Sequence, residues 1–434
     1  RFRCGGRYGY VTCLSVAISV LISGIALAIF YSSHTNTGVP ISSNSPAQHN
    51  NNNTKTLSIP SSYGDIAPPV AAPPPASEAL YIYPSDPRLH IHGRHKKVSK
   101  SEIIADWSGT RIIMEFSGSG AIWANLSAAN LSSAYSRKEG YWCPLYQEKY
   151  IKLHAANQPA LCPFWFDVWD VYIDKQHAAT LRIDTLNADV EKQPLLAIRA
   201  AGVGLNKTKI HQIMLFKRTG PKKGGTSFGG FILENQARVH RFESEYLPDR
   251  KIEILGASEE NGECALGSRK DFYSSLLESS RVAYGSVLGD YFQADYHFVA
   301  LGSADLVGGE PLAKPDSGPF LKYYKRALYG VSGDDWDFNS YIPNIVLIAN
   351  GITDWQNGVG NNTLMPKFAN NLAQLLTTLR KQYPETWILF VPWQAQQIRG
   401  VTAGVDLYQR QGANNDTKVV IQVDDLSRNL IRRH

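Results

Sequence analysis

The chain of 434 residues is long enough for two or three domains, and its 43% hydrophobic and 19% charged residues are typical of a globular protein. Its net charge of +6 is spread over short basic groups such as residues 94–97 and Lys217–Arg218. A nucleic-acid-binding face needs denser basic clustering, so the composition argues against a nucleic-acid partner.

Residues 11–31 form an uncharged apolar segment that predicts a transmembrane helix, because about 20 apolar residues cross a bilayer. Three arginines precede the segment, and the next basic residue is Lys55. The positive-inside rule then predicts a cytoplasmic tail over residues 1–10 and a single-pass type II membrane protein of the Golgi or cell surface, with its body lumenal or extracellular. The alternative is a signal peptide cleaved near residues 26–28, which would give a secreted protein. Signal peptides have shorter apolar cores, so the length favours the anchor.

Two further signals indicate the secretory pathway. Cys143 and Cys162 lie in one region and predict a disulfide bond in an oxidising compartment. Cys264 is then left over, either free or paired with a cysteine beyond the end of the chain. Six N-glycosylation sequons follow the predicted anchor, at Asn52, Asn125, Asn130, Asn206, Asn361 and Asn415.

Residues 32–78 are rich in serine, asparagine and proline. Such a composition does not bury enough apolar surface to fold, and proline favours extended polyproline II structure. We expect this segment to be a stem that separates the folded part from the membrane.

Residues 79–241 show short β-like patterns. The segment 111–116 alternates apolar and other residues, and 164–174 and 211–217 are rich in aromatic and β-branched residues. Clusters of Gly, Asn, Ser and Pro separate these segments. Several short strands with turns between them predict an all-β sandwich or jelly roll.

Residues 247–434 alternate strands with helices, which predicts an α/β domain with a parallel sheet covered on both faces. Ligands bind such sheets at the carboxyl ends of the strands. The predicted strands are 251–256, 296–301, 345–349, 387–391 and 419–423, and the predicted helices are 273–288 and 367–383.

The segment Ile254–Ser258 follows a strand and resembles the first block of SGNH hydrolases, Gly-Asp-Ser, with Ala257 in the position of the Asp. Other matching segments are Gly93–Arg94, Trp107–Gly109, Lys217–Thr219, Gly225, Phe228–Phe231, Trp336–Phe338 and Gly351–Asp354. In their order and spacing these segments resemble carbohydrate esterase family 2, in which a β-sandwich precedes an SGNH (flavodoxin-like) domain. The resemblance spans roughly residues 89–426. It implies a serine esterase that deacetylates acetylated polysaccharide, as an acetyl xylan esterase does, without cofactor or metal.

By this resemblance Ser258 is the nucleophile. The oxyanion and substrate-binding positions fall on Gly302, Ser303, Asn350 and Thr353, and Trp355 would stack on a sugar ring or belong to the core. The chain departs from the family where Ser303 and Asp305 occupy glycine positions and Thr353 replaces asparagine. A carboxylate at Asp305 near a developing oxyanion would be repulsive.

The general base is the fourth point at which the chain departs from the family pattern, after Ala257, the glycine positions and Thr353. The family's histidine follows the last strand in an Asp-x-x-His or Trp-His-Pro block, whereas His434 has Ile431 three residues before it. We therefore expect the catalytic histidine to lie beyond the end of this chain, with the α/β domain truncated. The rival hypothesis is a catalytically inactive SGNH-like protein that binds glycan.

Overall fold

The computed structural model describes residues 72–129, 166–183, 198–245, 247–267, 274–307, 320–331, 333–356, 364–392, 395–413 and 416–421. The predicted tail, the predicted anchor and nearly all of the predicted stem lie outside these residues. So do Cys143 and Cys162, and the sequons at Asn52, Asn130, Asn361 and Asn415. Within the described part of the chain, no helix is long and apolar enough to span a membrane. The described residues all belong to one compact unit.

Twelve strands form two antiparallel sheets. The strands are β1 (Ala79–Ile82), β2 (His90–His92), β3 (Lys96–Ser99), β4 (Glu102–Ala105), β5 (Arg111–Ser117), β6 (Ala121–Ala128), β7 (Asp167–Ile173), β8 (Gln176–Ile183), β9 (Ile198–Val203), β10 (His211–Lys217), β11 (Thr226–Glu234) and β12 (Arg238–His240). One sheet has the order β3-β4-β11-β6-β9, with β1 paired to β11. The other has the order β12-β5-β10-β7-β8, with β2 paired to β5. The arrangement agrees with the predicted β-sandwich.

Strand β5 packs both in the core of the sandwich and against the α/β layer, which is the second layer of the fold. Ile112, Met114 and Phe116 are fully buried in the core between the two sheets. The alternate residues Arg111 and Ile113 are also buried, and Arg111 donates to Asp295 and to the Tyr296 carbonyl of the α/β layer. The period-two pattern therefore places one face of β5 in the sandwich core, while the other face is covered by the second layer.

The second layer is a five-stranded parallel sheet. Its strands are β13 (Leu247–Gly256), β14 (Ala294–Ala300), β15 (Ile345–Ile348), β16 (Trp387–Phe390) and β17 (Val419–Ile421), in the order β14-β13-β15-β16-β17. The helices are α1 (Ser258–Asn261), α2 (Tyr284–Phe292), α3 (Leu321–Tyr324), α4 (Ile352–Gln356), α5 (Met365–Gln382) and α6 (Ala395–Tyr408). This strand order is the flavodoxin-like one, which reverses direction between β13 and β15.

The predicted helix over residues 273–288 is wrong in its first half. The chain forms two short 3₁₀ turns, Ser275–Leu277 and Ser280–Val282, before α2 begins at Tyr284. Serine side chains compete for backbone groups there: Ser274 Oγ accepts from Leu276 N, and Ser280 Oγ donates to the Arg218 carbonyl. Such local bonds offer the backbone an alternative to the helix.

Several residues that carry the family resemblance lie between the sandwich and the parallel sheet. Arg94 Nη2 donates to Glu253 Oε1 over 2.8 Å, and both side chains are fully buried. Trp107 Nε1 donates to the Ala327 carbonyl over 3.0 Å. Gly109 has a φ of +73°, and a Cβ there would lie 2.3 Å from the Phe298 ring. These positions are therefore constrained by the packing of one layer on the other.

Candidate active site

Ser258 lies at the carboxyl end of β13, at the point where the strand order of the sheet reverses, which is the usual ligand site of such sheets. It is the first residue of α1 and is half-buried. Its Oγ donates to Glu259 Oε2 over 3.0 Å. Among the described residues, Glu259 is the only hydrogen-bond partner of this hydroxyl. Burial raises the pKa of Glu259, which makes its carboxylate a stronger proton acceptor.

Glu260 fixes the turn that presents Ser258. Its Oε2 accepts from Ala257 N over 2.5 Å, and its Oε1 accepts from the Tyr284 hydroxyl over 2.7 Å. A Cβ at Gly256 would lie 1.9 Å from Glu260 Oε2, so only glycine fits at the end of β13. Burial, together with the neighbouring charge of Glu259, raises the pKa of Glu260 to about 8. The side chain is therefore mostly neutral at pH 7.

The turn after β14 is held by a lysine of the sandwich, which sequence reasoning missed. Lys222 Nζ donates to the Gly302 carbonyl. Because the C=O and the following N–H of a trans peptide point in opposite directions, this contact also sets the direction of the Ser303 N–H. Ser303 is exposed, has a φ of +61° and makes no hydrogen bond within the described part of the chain. Its N–H is thus available as a donor.

Asp354 holds the other end of the same loop. Its carboxylate accepts from Leu306 N over 3.0 Å and from Val307 N over 2.8 Å. Burial raises the pKa of Asp354 to about 7, and the charge of Asp305 adds to this rise. The Asp of the Gly-x-x-Asp segment therefore anchors the loop that follows β14. Asp305 itself is buried in that loop.

The remaining predicted residues lie in different surroundings. Asn350 is fully buried after β15, and its Nδ2 donates to the Gly256 carbonyl over 3.3 Å, while its Oδ1 has no partner among the described residues. Thr353 is half-buried. Trp355 packs edge-on against Phe368, with ring centroids 5.0 Å apart. The strand ends thus bring Ser258, Gly302 and Asn350 together, whereas Trp355 contacts the core, and its stacking on sugar stays a prediction.

One prediction made outside the site has an outcome. Cys264 takes part in a disulfide bond, so the expectation that it is left over is wrong, and its partner lies outside the described residues. Asn125 lies within β6 between two paired strands, whereas Asn206 lies in an exposed turn. In the described part of the chain, no group of three or more His, Cys, Asp or Glu residues could hold a metal ion.

Comparison with known proteins gives the class of fold. No protein-family model matches the chain. The chain is 26% identical over 185 residues to the cellulase/esterase CelE of Acetivibrio thermocellus, a match that covers 41% of this chain and 21% of that protein. The chain therefore spans about a fifth of the length of the curated relative that it matches.

Solved structures match over a larger share of the chain. A family 2 carbohydrate esterase from Cellvibrio japonicus has a TM-score of 0.61 and 17% identity, and the match covers 79% of this chain and 88% of that one. The family 2 esterase from Clostridium thermocellum in complex with cellohexaose has a TM-score of 0.58 and 18% identity, covering 77% and 87%. An acetyl xylan esterase from Butyrivibrio proteoclasticus has a TM-score of 0.58 and 15% identity, covering 80% and 89%. The fold is thus that of the family 2 carbohydrate esterases.

Proposed function

We propose that the protein is a carbohydrate esterase that removes acetyl groups from an acetylated polysaccharide through an acyl-Ser258 intermediate. The observation that carries the proposal is the position of Ser258. Its hydroxyl lies at the switch point of a sheet with the fold of family 2 carbohydrate esterases, hydrogen-bonded to a carboxylate. The comparison proteins are an acetyl xylan esterase, a cellulase/esterase and a family 2 esterase in complex with cellohexaose, which supports a polysaccharide substrate.

The reaction follows from the site residues. Ser258 Oγ attacks the acetyl carbonyl carbon while its proton passes to a general base. The bond between the carbonyl carbon and the sugar oxygen then breaks, and the base returns the proton to that oxygen, which leaves as a hydroxyl. Water attacks the acyl-serine in the same way, which releases acetate and restores the Ser258 hydroxyl. Within the described residues, Glu259 Oε2 is the acceptor for the serine proton. The Ser303 N–H, oriented by the contact of Lys222 with Gly302, would donate to the oxyanion.

The first test is acetate release from acetylated xylan by the wild-type protein and by the Ser258→Ala variant. We expect the variant to lose roughly 10³-fold or more of the rate, because removal of a nucleophile leaves only binding and oxyanion stabilisation. The Ser101→Ala variant is a control that removes an exposed hydroxyl of the sandwich and should keep the activity. Equal rates for wild type and Ser258→Ala would refute the acyl-serine mechanism.

A second candidate is an inactive protein that uses the same site to bind glycan. The observation that favours it is the loop after β14, where the non-glycine Ser303 adopts a positive φ and the carboxylate of Asp305 is buried nearby. A solved carbohydrate esterase that matches the fold with a TM-score of 0.56 and 15% identity has an active site with divergent catalytic and non-catalytic binding functions. Binding of xylan oligosaccharides without acetate release would establish this candidate.

We also propose that the folded part is lumenal or extracellular, as a type II membrane glycoprotein anchored by residues 11–31. The sequons and the charge distribution around the apolar segment support this. Of the two described sequons, Asn206 is the accessible one, because Asn125 is half-buried in a central strand. We expect endoglycosidase treatment to shift the wild-type band, with a smaller shift for Asn206→Gln and an unchanged one for Asn125→Gln if that variant folds. A cytosolic, unglycosylated chain in its native cell would contradict the proposal.

A further inference from the structure

A groove on the α/β layer lies away from Ser258. It has a volume of about 670 Å³ and runs between the segment 321–335 and the exposed side of α5, with Gln411 at its edge. Asn371 of α5 donates to the Leu306 carbonyl over 2.6 Å, in the loop that Asp354 anchors. Gln374, which lines the groove, is about 4.5 Å further along the helix axis at 1.5 Å per residue. The groove therefore begins one helical turn from the loop of the candidate active site.

The charge of the groove is positive. Lys322, Lys325 and Arg326 line it, opposed by the single carboxylate of Asp335. Both lysines are exposed, and neither forms an ion pair within the described part of the chain. A concave surface that carries one sign of charge concentrates ions of the opposite sign. Lys322 Nζ lies 5.6 Å from the centroid of the Tyr323 ring, but its ammonium group is exposed like that of Lys325 and can pair with an anionic ligand.

Arg326 is less available to an anionic ligand than the lysines are, because its guanidinium also binds a carbonyl of the protein. Its Nη1 donates to the Tyr329 carbonyl over 2.6 Å, and its guanidinium lies 5.0 Å from the centroid of the Tyr323 ring. The bidentate arginine geometry that phosphate recognition favours is thus partly occupied by the protein itself. Lysine ammonium groups act as point charges, which suit isolated carboxylates spaced along a chain.

The uncharged lining of the groove consists of hydrogen-bonding side chains. Gln374, Thr377 and Thr378 lie at helical spacings of three and four, so they share one face of α5, and Gln411 adds a second amide. Thr377 Oγ1 donates to the Ala373 carbonyl and keeps its lone pairs for an outside donor. Such amides and hydroxyls can form hydrogen bonds with the hydroxyl groups of sugars. The neighbouring Tyr323 ring is buried, so it offers no face on which a nucleic-acid base could stack.

We propose that this groove binds carboxylate-bearing sugar residues, so that the polymer recognised by the protein is an acidic polysaccharide rich in uronic acids. The proposal rests on the proposed function only for the link between the groove and the Ser258 site. The binding itself needs no catalysis. The lysines would pair with the carboxylates, and the amides and hydroxyls of α5 and Gln411 would bind the sugar hydroxyls.

The test is calorimetric titration of the full chain with an oligogalacturonate and with a neutral cello-oligosaccharide of the same length. We expect the oligogalacturonate to bind more tightly, and we expect its binding to weaken as salt rises from about 0.05 to about 0.5 M, because the charges are exposed and screened. The double variant Lys322→Gln/Lys325→Gln should bind it about tenfold more weakly, as expected for the loss of two exposed charge pairs. The control is Lys209→Gln, an exposed lysine on the sandwich, which should bind as the wild type does.

Outcomes of this titration separate the groove from the catalytic proposal. Unchanged binding by the double variant, or equal affinity for the neutral oligosaccharide, would overturn the acidic-glycan assignment. Equal affinity for inorganic phosphate and for the oligogalacturonate would also overturn it, because the groove would then be a general anion site. The Ser258→Ala variant should retain the oligogalacturonate binding. If wild type binds but releases no acetate, the groove proposal stands and the esterase proposal fails.

Discussion

Replacement of Glu253 by glutamine is expected to lower the free energy of unfolding by about 3–5 kcal/mol, because it leaves the buried Arg94 without its counter-charge. Both side chains are fully buried. Glu253 also accepts from the Tyr324 hydroxyl over 3.0 Å. Burial alone would lower the pKa of Arg94, but the charge and hydrogen bond of Glu253, together with Tyr324 and Tyr383, raise it, so the arginine stays charged. Urea unfolding followed by tryptophan fluorescence measures the loss.

The control for this prediction is the double variant Arg94→Met/Glu253→Leu. It removes both charges, and it is expected to recover part of the stability because no unpaired ion remains in the interior. The exposed ion pair between Lys418 and Glu385 offers a matched comparison, since Glu385→Gln should leave the stability nearly unchanged. A loss below about 1 kcal/mol for Glu253→Gln would show that the buried pair contributes little.

The second large effect is a fall in stability as the pH rises from about 6.5 to about 8. Burial raises the pKa of Glu260 to about 8 and those of Glu263 and Asp354 to about 7. An acid whose pKa is higher in the folded state binds more protons there, so its stabilisation is present at low pH and is lost as the pH approaches the folded pKa. At about 1.4 kcal/mol per pH unit, Glu260 alone would account for a fall of about 2 kcal/mol across this window.

Below the window, the stability also depends on a buried histidine. Its effect on the change of stability with pH has the opposite sign to that of the carboxyl groups. Burial lowers the pKa of His297 well below 6.5, so the folded state binds fewer protons at that site than the unfolded state does. Stability from His297 is therefore lost as the pH falls below 6.5, and this offsets the contribution of one of the carboxyl groups there. Denaturant unfolding at several pH values checks the prediction. Glu260→Gln should flatten the slope above pH 6.5, whereas the exposed Glu243→Gln should keep it. The same slope in both variants would contradict the assignment to Glu260.

Much of the parallel sheet could be predicted from the sequence because its strands are short, continuous apolar runs. The run Ile345–Ala349 and the pattern Leu372, Leu375 and Leu379 in α5 each give a strong local signal, and both were predicted as observed. The segment 273–288 failed because its conformation depends on a partner far away in sequence. Arg218 takes the Leu276 and Glu278 carbonyls that a helix would have used.

The same limit applies to the candidate site. Ser258 was found because a glycine and a serine directly follow an apolar strand, which is a local pattern. Lys222 gave no signal, since its contact with Gly302 joins residues that are 80 positions apart and belong to different layers. Glu260 gave no signal either. Only its burial beside Gly256 shows that it shapes the turn.

The burial of both faces of β5 has a consequence for which substitutions and domain losses the chain can tolerate during evolution. A binding module attached by a linker can be lost, exchanged or duplicated without harm to its neighbour. Here three basic side chains of the sandwich bind the α/β layer. Arg111 pairs with Asp295, Arg94 pairs with Glu253, and Lys222 donates to the Gly302 carbonyl. Removal of the sandwich would leave the buried carboxylate of Glu253 without its counter-charge, at a cost of about 3–5 kcal/mol. We therefore expect a substitution at one of these contacts to require a compensating substitution in the other layer.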